Sequence, residues 1–297
     1  MSTLVVGPTL ENKSIAPRGL AFRTSLFVLF LACGLAVFIL GCNYFVIFPT
    51  NQNLFYNVLV SAALLVAAVW LKRDERLNKY WPIAFAFFVG SIAFPISLLF
   101  AGWDSALLSW FNLTKTTSQG LAFLKVREML VICIPTIVLI KLSGADLGSI
   151  YLKRGNLKWG LSIGALVFFN LTASAFLFFA TRYTSVDKLG AAVVWGLVFA
   201  FANGFMEELW LRGIFLKRFQ PLLGVGGAVL LTSIVFALMH GGALYLTPVA
   251  IPFMVANTFT LGLACGYLMI KTDSIWGPTL IHAAADLFLF FAMLANA

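Results

Sequence analysis

Six side chains stand out as capable of chemistry in a chain otherwise short of it. Glu207, Glu208 and Arg212 lie within "GFMEELWLRG". The chain's two histidines are His240, in "VFALMHGG", and His282, in "IHAAADLF", which also supplies Asp286. All six fall in apolar runs, where an ionised side chain costs about 3 kcal/mol or more and therefore faces a cavity, finds a partner or marks function. Spacing sorts them. Glu208 and Arg212 are four apart, on one helical face and in the order that favours an ion pair. His282 and Asp286 are also four apart and line one face of another helix. Glu207 is rotated about 100° from its neighbour, so it is expected to need a role and a partner of its own. Carboxylates with two imidazoles are what an activated-water hydrolase or a metal site requires. A zinc centre is the rival chemistry, but the chain has no HExxH and no zinc spacing.

The elements that must position these residues follow from composition. Of 297 residues, 61% are hydrophobic and only 10% charged, against about a quarter charged in soluble domains. The fold class expected is all-α, a polytopic transmembrane helical bundle. Apolar runs near the roughly 20 residues that cross a bilayer occur near 24–48, 54–71, 82–101, 119–141, 158–180, 190–211, 226–246, 248–270 and 275–295, about nine spans, with eight the alternative. Lys and Arg collect in alternate loops, which places the N-terminus in the cytoplasm. Lys13, Arg18 and Arg23 precede the first span; Lys72, Arg73, Arg76 and Lys79 follow the second; Lys141, Lys153, Arg154 and Lys158 follow the fourth; Lys217, Arg218 and Lys271 come later. The net charge of +9 is thereby accounted for by topology and by anionic lipid, without nucleic acid.

Three regions are expected: a cytoplasmic tail over 1–23, an N-terminal transmembrane region over 24–180 and a core over 190–297. The first apolar segment is too long for a cleavable signal and reads as a retained anchor. Cys33, Cys42, Cys133 and Cys265 lie in apolar runs without CxxC spacing and read as packing residues. Lys125, Arg127 and Glu128 near the start of the fourth span read as snorkelling, locally paired charges. Asp104, Asp187 and Asp273 read as loop residues. The depth of His240 depends on where the seventh span begins; a start near Gly226 brings it toward the middle of the bilayer, and Gly241-Gly242 are suited to ending that helix.

Three motifs in order resemble those of the CPBP group, also called Abi or type II CAAX-protease-like, of glutamic intramembrane proteases. EExxxR stands as Glu207 to Arg212, FxxxH as Phe236 to His240, and HxxxN or HxxxD as His282 to Asp286. "GYLMIKTDSIWGPTLIHAAAD" is similar to the family's approach to its third motif, and "GADLGSIYLKRGNLKWGLSIG" to the segment that often precedes the domain. The resemblance covers the last third of the chain. It implies an endopeptidase acting on a membrane-anchored or lipidated substrate, with no metal or other cofactor. It implies Glu207 as general base, His240 as a water-holding partner, His282 and Asp286 as the oxyanion-stabilising pair, and Glu208 with Arg212 as support. The topology places the cavity within the membrane and open to the cytoplasm, and the compact build points to a plasma membrane. Many members carry Asn where this chain has Asp286. An ionised Asp cannot donate to an oxyanion, so Asp286 either carries a proton or orients His282. The class that competes with a protease is a membrane binding or immunity protein, or a transporter, using the same polar cluster.

Overall fold

A computed structural model describes residues 19–242 and 247–294. Ten α-helices account for most of them: α1 Leu20–Gly34, α2 Thr50–Arg73, α3 Trp81–Ala101, α4 Asp104–Trp110, α5 Ser118–Leu142, α6 Leu157–Phe179, α7 Val186–Glu207, α8 Leu216–His240, α9 Ala250–Thr272 and α10 Trp276–Leu294. Helix starts follow from side chains that accept the first free backbone N–H groups. Thr117 accepts from Gly120, Asn156 from Trp159 and Ser185 from Lys188.

Eight segments are long and apolar enough to cross a membrane: α1 with its continuation to Leu40, α2, α3, α6, α7 with its continuation to Gly213, α8, α9 and α10. This is a polytopic helical bundle. The ninth expected span, α5, has the length, at 25 residues, but carries Lys125, Arg127 and Glu128 in one turn. These charges are paired within the fold: Lys125 Nζ with Glu128 Oε2 at 2.7 Å, and Arg127 Nε with Asp104 Oδ1 at 3.1 Å. Asp104 therefore belongs to the short helix α4, and Asp187 to the first turn of α7, rather than to loops. The first span stops earlier than expected. Residues 43–48 form a loop closed by Asn43, whose side chain donates to Phe48 O at 2.6 Å and accepts from Phe48 N at 2.9 Å.

Helix α10 is the axis of the C-terminal half, packed against α6, α7 and α9, while α8 packs on α9 and α1, and α5 on α7 and α3. Gly224, at φ 76° and ψ 172°, breaks α8 into two legs, a conformation open essentially to glycine alone. The second leg begins just after it and ends at His240, followed by Gly241, as a late start to that span requires. The expected continuation to residue 246 reaches residues 243–246, outside those described.

The segment before α6 ties down the turn between α9 and α10. Ile275 N donates to Tyr151 O, Asn156 N to Thr272 O, Ser274 Oγ to Lys153 O, and Lys217 Nζ to Gly148 O. Asp273 sits in this turn at φ 51° and pairs with Lys153 and with Lys217 Nζ, the latter at 2.7 Å.

Candidate active site

Helix α7 does not simply end at Glu207. It continues as a π-helical turn, Glu208–Gly213, in which Ile214 N reaches back five residues to Leu209 O at 3.1 Å. Such turns are rare and concentrate at functional sites. All six of its residues are buried, and Arg212 Nη1 donates to Glu208 Oε1 at 2.6 Å with both side chains fully shielded. The expected ion pair is present.

The expectation that Glu207 has a partner apart from that of Glu208 is corrected. Both glutamates reach the same imidazole, because its two nitrogens lie on opposite edges of the ring. His282 Nδ1 donates to Glu208 Oε1 at 2.7 Å, and its Nε2 lies 3.4 Å from Glu207 Oε2. A close approach of α7 to α10 makes this possible. A Cβ on Gly204 would meet Ala283 N at 3.0 Å and Thr279 O at 3.2 Å, so only glycine lets the two backbones come this near.

His240 arrives at the same carboxylate from the end of α8. Its Nδ1 is 2.9 Å from Phe236 O, and since a carbonyl only accepts, Nδ1 carries the hydrogen of that bond. Nε2 is thereby turned toward Glu207 Oε2, 3.6 Å away. Phe236, fully buried, explains the spacing of its own motif. Its ring lies under the Arg212 guanidinium at 4.2 Å, meets the His240 ring edge-on at 4.4 Å and the His282 ring at 5.5 Å. One aromatic face thus holds a cation and both histidines in register.

Asp286 Oδ2 lies 3.8 Å from His282 Nε2, beyond hydrogen-bond distance, and instead accepts from Asn203 Nδ2 at 3.0 Å. Asn203 was not among the residues expected at the site. It stands four residues before Glu207 on α7, and that i, i+4 relation between two polar residues in an apolar helix is the signal that marks it. The site therefore gathers all six expected residues and adds Asn203 and Phe236. Glu207 Oε2, Glu208 Oε2, Asn203 Oδ1 and Arg212 Nε and Nη2 are buried without a hydrogen-bond partner. Each such atom is costly, about 1–3 kcal/mol if left dry.

Among the described residues, no group of three or more His, Cys, Asp or Glu side chains is placed to hold a metal ion. Lys125 and Glu128 are locally paired, as expected, whereas Arg127 pairs with Asp104 of α4, and Glu128 also lines a cavity.

No curated protein and no solved structure was found to match the chain. The matched family is found in the region holding all three motifs: residues 189–288 match the Rce1-like family, described as type II CAAX prenyl endopeptidase Rce1-like, which is the family those motifs resemble.

Proposed function

We propose that the protein is an intramembrane endopeptidase in which Glu207 and His240 activate a water for attack on a peptide carbonyl. The observation that carries this reading is the approach of two imidazole Nε2 atoms to one carboxylate oxygen, His240 at 3.6 Å and His282 at 3.4 Å from Glu207 Oε2. With its Nδ1 hydrogen committed to Phe236 O, a neutral His240 offers Nε2 as an acceptor. A water about 2.8 Å from both Nε2 and Glu207 Oε2 donates one hydrogen to each and is left with a lone pair for the carbonyl carbon.

The reaction then balances as follows. The water oxygen bonds to the carbonyl carbon, the carbonyl π electrons move to its oxygen, and the water proton passes to Glu207. His282, anchored through Nδ1 by Glu208, donates from Nε2 to the oxyanion, a contribution of roughly 3–4 kcal/mol for one well-placed donor. The oxyanion's electrons re-form the carbonyl and the carbon–nitrogen bond breaks as Glu207 returns its proton to the departing nitrogen. This leaves a carboxylic acid and an amine, which become carboxylate and ammonium when the acid's proton passes to the amine. Arg212 pairs with Glu208 and holds it in place. Asp286, engaged by Asn203, flanks the His282 imidazole at 3.8 Å from Nε2 without a hydrogen bond to it, and Glu208 is the residue that orients the ring. The substrate is a membrane-anchored or lipidated polypeptide, in keeping with the prenylated substrates named for the matched family, and the setting is the plasma membrane with the site open to the cytoplasm.

The test is cleavage of bilayer-anchored and lipidated peptides by purified protein in detergent, with Glu207→Ala and His240→Ala and with a strong zinc chelator. Loss of cleavage in both variants, with survival in chelator, supports the reading. Loss on chelation moves the chemistry to a metal. Retention of full cellular function by both variants returns the site to a binding role.

A further inference from the structure

Beside the Glu207 cluster lies a cavity of about 180 Å³ whose walls include Tyr44, Asn53, Ser97, Glu128, Trp210 and Met239. Tyr44 on its wall is within electrostatic reach of Glu207, which places the cavity next to the proposed chemistry, and Met239 and Trp210 are chain neighbours of His240 and of the Glu208–Arg212 pair. Its size exceeds by roughly tenfold what a single water requires, enough for a long side chain. Two features describe what it accommodates. Trp210 and Tyr44 present aromatic surface, and the indole is fixed by a 2.8 Å hydrogen bond from Nε1 to Gly90 O. Glu128 supplies a carboxylate about one-third exposed, of which Lys125 engages one oxygen, Oε2, at 2.7 Å.

The charges nearby decide the sign of the guest. Lys125 balances Glu128, while the adjoining cluster sets Glu207, Glu208 and Asp286 against Arg212 and the doubly donating His282, which leaves one negative charge over. Lys125 is within electrostatic reach of Glu207 and Asp286, and Tyr44 within reach of Glu207 and Glu128. A carboxylate guest meets this excess of negative charge, and an apolar one takes water from Glu128 Oε1 and Ser97 and gives neither a hydrogen bond in return. A basic side chain lays its stem along the aromatic walls and brings its cation to Glu128 Oε1.

We infer that the cavity is a substrate subsite for an arginine or lysine side chain close to the scissile bond, with Glu128 as the residue that determines this specificity. The inference rests on the endopeptidase reading, and its test separates the two. Glu207→Gln protein in detergent is titrated with fluorescent bilayer-anchored peptides carrying one arginine, placed in turn at each central position, or glutamine there. The best arginine peptide is expected to bind roughly tenfold more tightly than its glutamine counterpart, as one charge-assisted hydrogen bond implies. Adding Glu128→Gln is expected to erase the difference. Ser97→Trp, which fills the cavity and keeps the Lys125–Glu128 pair, is expected to erase it too, so a folding defect caused by stranding Lys125 does not decide the result. Equal affinities for the two peptides, or an arginine preference that survives both substitutions, overturns the inference. A tightly bound arginine peptide that the unsubstituted protein never cuts overturns the endopeptidase reading instead.

Discussion

At the residue scale the question left by composition is what Asp286 does where an amide is common in the resembling family. Its Oδ2 accepts from Asn203 Nδ2 at 3.0 Å and stands 3.8 Å from His282 Nε2. An asparagine at 286 keeps an oxygen for Asn203 and adds a donor for the oxyanion. Asp286→Asn is therefore expected to cleave peptide at a rate within a few-fold of the unsubstituted protein, or faster. Asp286→Ala, which removes the acceptor of Asn203 and the side chain that flanks His282, is expected to lose about a hundredfold in kcat. Equal losses in the two variants would show that the charge of Asp286, rather than its position, is what the site uses. The sequence makes six of the site residues visible because each is an ionisable side chain in an apolar run. It hides Asn203, whose type is neutral, and the sharing of His282 by two adjacent glutamates, because helical angles describe where Cβ atoms point and not how far a glutamate reaches.

At the element scale, the site depends on two local departures from regular structure. One is the π turn after Glu207, and the other is the close contact of α7 with α10 at Gly204. A methyl group at Gly204 meets backbone atoms of α10, which cannot yield as a side-chain end can. Gly204→Ala is expected to separate the helices, at about 1–3 kcal/mol of overpacking, and to reduce cleavage by about a hundredfold through misplacement of Glu207. Gly226→Ala is the matched control, since nothing lies within 4 Å of its added Cβ, and its cleavage rate is expected to be unchanged. Comparable activity of the two alanine variants would mean that the approach of α7 to α10 does not set the site. Most helix limits were legible from runs of apolar residues. A start near Gly226 for the second leg of α8 was legible; the helical leg before it and the sharp turn at Gly224 were not. The π turn was not, because no residue type specifies an i to i+5 hydrogen bond.

At the scale of the whole molecule, the turn between the last two helices is held from outside the matched region, by the segment around Tyr151 and Lys153. Asp273 is the charged part of that tie. Partial burial raises its carboxyl pKa, but hydrogen bonds from Lys153 and Lys217 outweigh this and hold it below its ordinary value of 3.8. A group lowered in this way stabilises the fold above its unfolded pKa and loses that contribution as pH falls through the folded value. Asp273→Asn is a clean probe, because asparagine accepts the left-handed conformation at φ 51°. The Tm of the variant is expected to be slightly below that of the unsubstituted protein at pH 7, since nearly half of the Asp273 side chain is exposed and solvent screens such pairs to about 1 kcal/mol or less. The gap is expected to shrink from about pH 4 downward and to close in high salt. A gap that persists at pH 2–3 would assign the effect to backbone geometry instead. Hydropathy at this scale marks nine runs, and eight of them, among the described residues, have the length and apolarity of a membrane span; the ninth, α5, does not, because Lys125, Arg127 and Glu128 fall in one turn. The pairing of Arg127 with Asp104 appears only when α4 and α5 are brought together.

The central claim is that the Glu207 carboxylate removes a proton from water, and the most direct measurement is the comparison of Glu207→Gln with the unsubstituted protein in both peptide binding and peptide cleavage. Glutamine keeps the shape of the side chain and its contacts near His240 and His282 while removing its basicity. The account predicts affinity within a few-fold and a cleavage rate lower by at least about a hundredfold, the size of a general-base contribution. Cleavage at an undiminished rate by Glu207→Gln would contradict it.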